Sequence, residues 1–195
     1  MKNSLSICIY LLFSHFLVLD IGNSQSSEPD LLFSIPLDTD DSFGGPGLTG
    51  VIIADIDNDS DLEIIQNAGN KLFVLDHEGQ NVNGWPQSVI NTLQKNAVVG
   101  DVTGDGYHDM VAIDRNYDGN SYLYAWEYQG NSLPGFPLSL NFNSGSSPKT
   151  PILIDLNTDG ASEILFKIDS SIYVLDGFAN NYNGWPKLLD ERVYN

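Results

Sequence analysis

Apolar positions along the chain come in short bursts, not in a helical stripe. After a first apolar stretch over residues 5–19, runs of three to five residues recur at 51–54, 62–65 and 72–75, again at 97–100, 109–113 and 122–126, and again at 152–154, 163–166 and 172–175. The runs are rich in Val, Ile, Tyr and Phe, and Gly, Asn and Asp bound them. Branched and aromatic side chains suit a pleated surface, and this punctuation marks strand ends. No 3.6-residue period with caps persists for ten residues after residue 24, so the pattern predicts almost no helix. The first run of each group is apolar without alternation, which is how a strand covered on both faces reads.

The bursts belong to three repeated units. Between the first and second runs of each lies a polar loop with acids at alternate positions. The first carries Asp55, Asp57, Asp59, Asp61 and Glu63. The second places Asp101, Thr103, Asp105, Tyr107 and Asp109 at the same spacing, and the third Asp155, Asn157, Asp159, Ala161 and Glu163. The loops start 46 and then 54 residues apart. Each unit closes on a Gly-aromatic-Pro corner, at Trp85, Phe136 and Trp185, and Trp85 to Trp185 spans the same 100 residues as Asp55 to Asp155. The middle unit is longer, and its extra length falls at 115–121, a hairpin tip.

Four short strands repeated every 45–55 residues is the arithmetic of a β-propeller blade, whose inner strands are covered by neighbouring blades. The expected fold is therefore all-β: three consecutive four-stranded antiparallel blades of a partial propeller, at 48–96, 97–149 and 150–195. Residues 25–47 read as a linker plus the outer strand of a preceding blade, with Pro36 at an edge where a missing N–H is tolerated. Rings typically take at least about four blades, so further blades in a longer chain, or self-association of chains, are expected as partners.

The N-terminus has the pattern of a secretory signal peptide over residues 1–24. Lys2 precedes the apolar run, and Gly22 and Ser24 stand at the spacing of a cleavage site. The run is short for a membrane-spanning helix, which needs about 18 apolar residues. An uncleaved anchor and a buried helix are the alternatives. The expected location is secreted or at the cell surface, without stable membrane insertion of the mature chain. Cys8, the sole cysteine, lies inside this segment. The mature chain then has no disulfide, and another staple would help a modest exported domain.

Charge sharpens the picture. The chain holds 26 acidic and 8 basic residues, a net charge of −18. That excludes a non-specific nucleic-acid binder and argues against docking on an anionic membrane. Carboxylates at positions 1, 3 and 5 of a tight loop, a carbonyl at position 7 and an acid at position 9 can turn oxygens to one point. Such a hard oxygen set suits Ca2+, and no His or Cys cluster offers the ligands Zn2+ prefers. An EF-hand needs Glu at position 12 and flanking helices, but position 12 is Gln66, Ala112 and Phe166. Solvated turns capping hairpins are the plain alternative. Ser60 replaces the turn glycine of the first loop, where Asp61 is expected to offer only its carbonyl. Thr103 and Asn157 leave the other two loops one formal charge poorer, hence weaker sites.

The acidic loop between strands, together with the aromatic-Pro corner, resembles the FG-GAP/VCBS repeat family over residues 48–189. The resemblance implies blades of an integrin-α-type propeller and one Ca2+ per loop, on positions 1, 3, 5, 7 and 9. Ser60, Thr103 and Asn157 depart from the pattern. Such repeats occur in adhesins, lectin-like proteins, lyases and peptidase appendages, so the fold does not fix a function. The expected function is a non-catalytic adhesion or ligand-binding module for a protein or glycan. The alternatives are the propeller part of a secreted enzyme, such as a polysaccharide lyase, or a purely structural assembly module. Motifs of nucleophile elbows, zinc proteases and phosphate loops are missing from the sequence. His77 and His108 read as exposed turn residues, and Trp85, Phe136 and Trp185 as packing between blades.

Overall fold

The computed structural model describes residues 50–116, 120–142 and 148–189 in full, together with the backbone of three N-terminal strands. These are β1 (Ile7–Leu12), β2 (Phe16–Ile21) and β3 (Phe33–Pro36), an antiparallel sheet in the order β1-β2-β3. β3, which falls in the segment expected to hold an outer strand, lies at the edge of this sheet, with Pro36 opposite Phe16. The rest of residues 1–49, including the expected cleavage site, lies outside the described residues.

Three four-stranded sheets follow, each antiparallel and each in simple chain order. The first holds β4 (Ile52–Ala54), β5 (Glu63–Ala68), β6 (Lys71–Leu75) and β7 (Gln87–Ser88). The second holds β8 (Val98–Gly100), β9 (Asp109–Ile113), β10 (Asn120–Trp126) and β11 (Leu138–Asn141). The third holds β12 (Ile152–Ile154), β13 (Glu163–Ile168), β14 (Ser171–Leu175) and β15 (Lys187–Leu188). No helix occurs among the described residues. Each acidic loop joins the first strand of a sheet to the second. Register places its last acid opposite the residue before the loop, as Ala54 with Glu63, Gly100 with Asp109 and Ile154 with Glu163.

The middle sheet explains why its strands lack alternation. Met110, Ala112, Tyr124 and Trp126 on one face pack with Ile65, Leu72, Val74 and Trp85 of the first sheet. Val111, Ile113, Leu123 and Ala125 on the other face pack with Ile164, Phe166, Ile168 and Leu175 of the third. A strand covered on both faces has no polar side to show. The strands buried this way are β5 and β9, the second of their units, rather than the first strands as expected. The first strands are edge strands. β8 touches both β4 and β12, and the three surround a hollow of about 570 Å3 walled by Ile53, Val98, Leu153 and neighbours, which leaves Ile53 exposed.

The aromatic corners pack between sheets, as expected for Trp85 and Phe136. Trp85 is buried, meets Trp126 edge-on at 6.0 Å and donates its indole N–H to the Tyr128 carbonyl at 2.7 Å. Phe136 is buried in the second core, whereas Trp185 is half-buried. The same contrast recurs at the margin of the third sheet's outward face. Ile56 and Val89 are buried beneath the second sheet, but their counterparts one hundred residues on, Leu156 and Leu189, are 44% and 40% exposed.

Candidate metal centre

The three acidic loops share one backbone plan. Positions 4 and 6 are left-handed in each: Asn58 and Ser60 (φ 62° and 78°), Gly104 and Gly106 (76° and 90°), Thr158 and Gly160 (63° and 98°). These kinks turn the N–H of position 6 onto the first acid, so Asp55, Asp101 and Asp155 accept from Ser60, Gly106 and Gly160 at 2.8–3.1 Å. The acid at position 5 accepts from position 7: Asp59 from Asp61, Asp105 from Tyr107, and Asp159 from Ala161. The closing acids Glu63, Asp109 and Glu163 are buried and accept from the N–H of position 2, at Ile56, Val102 and Leu156.

Only glycine adopts such a φ without strain, and a β-carbon there costs about 1–2 kcal/mol. Ser60→Gly is therefore expected to stabilise the chain by about 1 kcal/mol, after the entropy of the freer unfolded chain is subtracted. Urea denaturation checks it, and an unchanged midpoint would mean that the serine relieves its own strain.

The first loop is a cation site in geometry. Asp55, Asp57 and Glu63 bring carboxylate oxygens within 4.8 Å of one another. Asp55 Oδ1 is buried there without a hydrogen-bond partner. Burial pushes the Glu63 carboxyl above its ordinary range, against the Ile56 N–H, and Asp57, Asp59 and Asp55 raise it further by repulsion. An orphaned carboxylate oxygen amid like charges fits a hard divalent cation. Asp59 is outside this trio. The Asp61 side chain turns away, 3.6 Å from His77 Nδ1.

The substitutions in the other loops change how the acids are held. Thr103 donates its hydroxyl towards both Asp101 and Asp109, at 3.4 and 3.3 Å, where Asp57 stands in the first loop. Asn157 donates its amide to Asp159 at 2.8 Å. The Ala161 N–H, then this amide, hold the Asp159 carboxyl below its ordinary range. A hydroxyl and an amide thus satisfy part of the charge that a cation would neutralise. Among the described residues, three carboxylates converge in the first loop and not in the second or third.

Burial pushes the Asp109 carboxyl up to about 6, against hydrogen bonds from Val102 and Thr103 and with repulsion from Asp105. Its folded value lies above the ordinary 3.8, so between those values the folded chain binds more protons than the unfolded one. The contribution of Asp109 to the stability of the cation-free chain is thus greatest at low pH and falls as pH rises from about 4 to about 6. Chemical denaturation in EDTA across that range should show the fall, and Asp109→Asn should flatten it. A slope equal in the two proteins would contradict the assignment.

The loops are linked in series. His108 donates its N–H to the Ile56 carbonyl at 3.0 Å and places Nδ1 2.9 Å from the Asp55 carbonyl. Asn58 donates to the Gly106 carbonyl, and Ser162 to that of Asp101. His108, expected as an exposed turn residue, is half-buried and ties the second loop to the first. Asp114, which no sequence motif marks, is a buried carboxylate that accepts from Asn91, Tyr122 and Tyr124. Burial raises its carboxyl against those bonds. It clamps the segment after β7 to the second sheet, and a lone Asp beside a hairpin tip carries no signal of that in sequence.

Serial acidic loops on repeated antiparallel sheets define a class of all-β repeat protein. Residues 101–166, from the second acidic loop to the middle of the third sheet, match the family described as FG-GAP-like repeat. The resemblance over 48–189 is thus shown for that part. No curated protein matches the chain. Among solved structures, it is similar to the biofilm matrix protein Bap1 of V. cholerae, with 16% identity and a TM-score of 0.33, covering 68% of this chain and 27% of that one. It is also similar to a protein of unknown function from Bacteroides caccae, with 9% identity and a TM-score of 0.44, covering 94% of this chain and 58% of that one. The chain spans less than two thirds of either. Among the described residues, no helix is long and apolar enough to cross a membrane.

Proposed function

We propose that the chain is an exported, calcium-stabilised β-propeller segment that serves as a non-catalytic adhesion or ligand-binding module. The observation that carries the metal reading is the trio Asp55, Asp57 and Glu63 with the orphaned Asp55 oxygen, in a loop type that occurs three times. Bound there, Ca2+ neutralises the buried carboxylates and fastens the first strand of a sheet to the second. Asp101, Asp105 and Asp109, and Asp155, Asp159 and Glu163, hold the weaker sites. The face-to-face stacking of sheets with first strands gathered round a hollow supports the blade reading. Export rests on the signal-peptide pattern of residues 1–24.

Calorimetric titration with Ca2+ tests this reading. One stronger and two weaker sites are expected. Asp55→Ala should remove the strongest, and Asp155→Ala one of the others. Mg2+, which sheds water reluctantly, should bind far less. Heat signals identical in wild type and both variants would refute the ligand assignment. The outward face of the third sheet, with Ile152, Leu156 and Leu189 exposed, supports a further four-stranded unit as partner, because its counterpart in the first sheet is covered by one. Light scattering should then show association that Ile152→Asp weakens.

A further inference from the structure

The slot between the second and third acidic loops is a second candidate for binding, distinct from the carboxylate trio. In the middle unit, Tyr107 stacks on Tyr128 at 4.7 Å and joins the acidic loop to the hairpin after β10. The equivalent residues in the third unit are Ala161 and Gly177. The backbone at Gly177 lies so close to the Val102 carbonyl that any β-carbon there would overlap it. Two rings are thereby lost, and a slot of about 460 Å3 stands open, lined by both residues. That size is in the range of small-molecule pockets.

The lining limits what can enter. Phe178 stands on the wall with 55% of its surface exposed, an apolar side chain open to solvent. The side-chain amides of Asn181 and Asn183 line the same slot and make no hydrogen bond within the described residues. Asp159, Glu163 and Asp176 are there too, and no Lys, Arg or His is. Anions are repelled by that set. An aromatic plate beside amides and carboxylates matches a ligand with one C–H face and a rim of hydroxyls.

We propose that this slot binds a neutral saccharide of one or two rings, which names the ligand class for the binding role above and rests on that reading. The test is saturation-transfer NMR on the full chain with lactose, maltose and diacetylchitobiose, each with calcium and with EDTA. At least one sugar is expected to receive transfer. Phe178→Ala should weaken its binding about tenfold. Ala161→Tyr, which restores a ring to the slot, should abolish it while the chain still melts cooperatively. Transfer to none of the sugars would overturn the proposal, as would transfer that survives Ala161→Tyr. Binding of N-acetyl-lysine methylamide with all sugars silent would overturn it in favour of a basic protein side chain. A sugar signal that persists in EDTA supports the slot whatever becomes of the calcium reading.

Discussion

Millimolar Ca2+ is expected to raise the melting temperature of the full chain by about 10 °C, and EDTA to reverse the rise. A ligand that binds only the folded state adds about 1.4 kcal/mol per site at tenfold excess over Kd, so three independent sites give about 4 kcal/mol. For a domain of this size each kcal/mol shifts the midpoint by about 2–4 °C. The three loops should not contribute equally. In the first, burial and repulsion meet at Glu63 and an oxygen of Asp55 has no partner, so a cation relieves most there. In the second and third, Thr103 and Asn157 already engage the acids. Asp55→Ala should therefore remove the largest share of the rise. A melting temperature indifferent to both Ca2+ and EDTA would end the metal reading.

Gly84→Ala is expected to destabilise the chain by about 2–5 kcal/mol, from backbone strain of about 1–2 and overpacking of about 1–3. Gly84 has φ +91°, and an added β-carbon would overlap the Gln129 carbonyl oxygen of the neighbouring sheet's hairpin. This corner is where Trp85 enters the core between the first two sheets and bonds the Tyr128 carbonyl. A shift there moves the whole contact. Gly106→Ala is the control, since its φ of +90° is the same but no atom lies within 4 Å of the added carbon. It should cost about 1 kcal/mol, the strain less the entropy of the stiffer unfolded chain. Equal losses in thermal melts of the two variants would show that Gly84 matters for its φ and not for the sheet-to-sheet approach.

Much of the strand pattern was legible in the sequence because it is local. A run such as 109–113 between an acidic loop and a polar tip has few alternatives to a buried strand, and the recurrence of Asp, Asp and Glu at fixed offsets marks one loop plan three times. The corner aromatics could be read as packing because each stands at the same place in its unit. Contacts between units were decided by the tertiary structure alone. Spacing does not reveal that β5 and β9, rather than the first strands, are buried on both faces, since this depends on which strand of a sheet meets the next sheet. Nor does it reveal that Asp55, Asp57 and Glu63 converge while Asp59 stays out, that His108 reaches the Asp55 carbonyl, or that Ala161 and Gly177 leave open what Tyr107 and Tyr128 fill. Each of these depends on segments far apart in the chain being brought together at distances of a few ångströms. Packing sets those distances, and the order of residues along a strand does not.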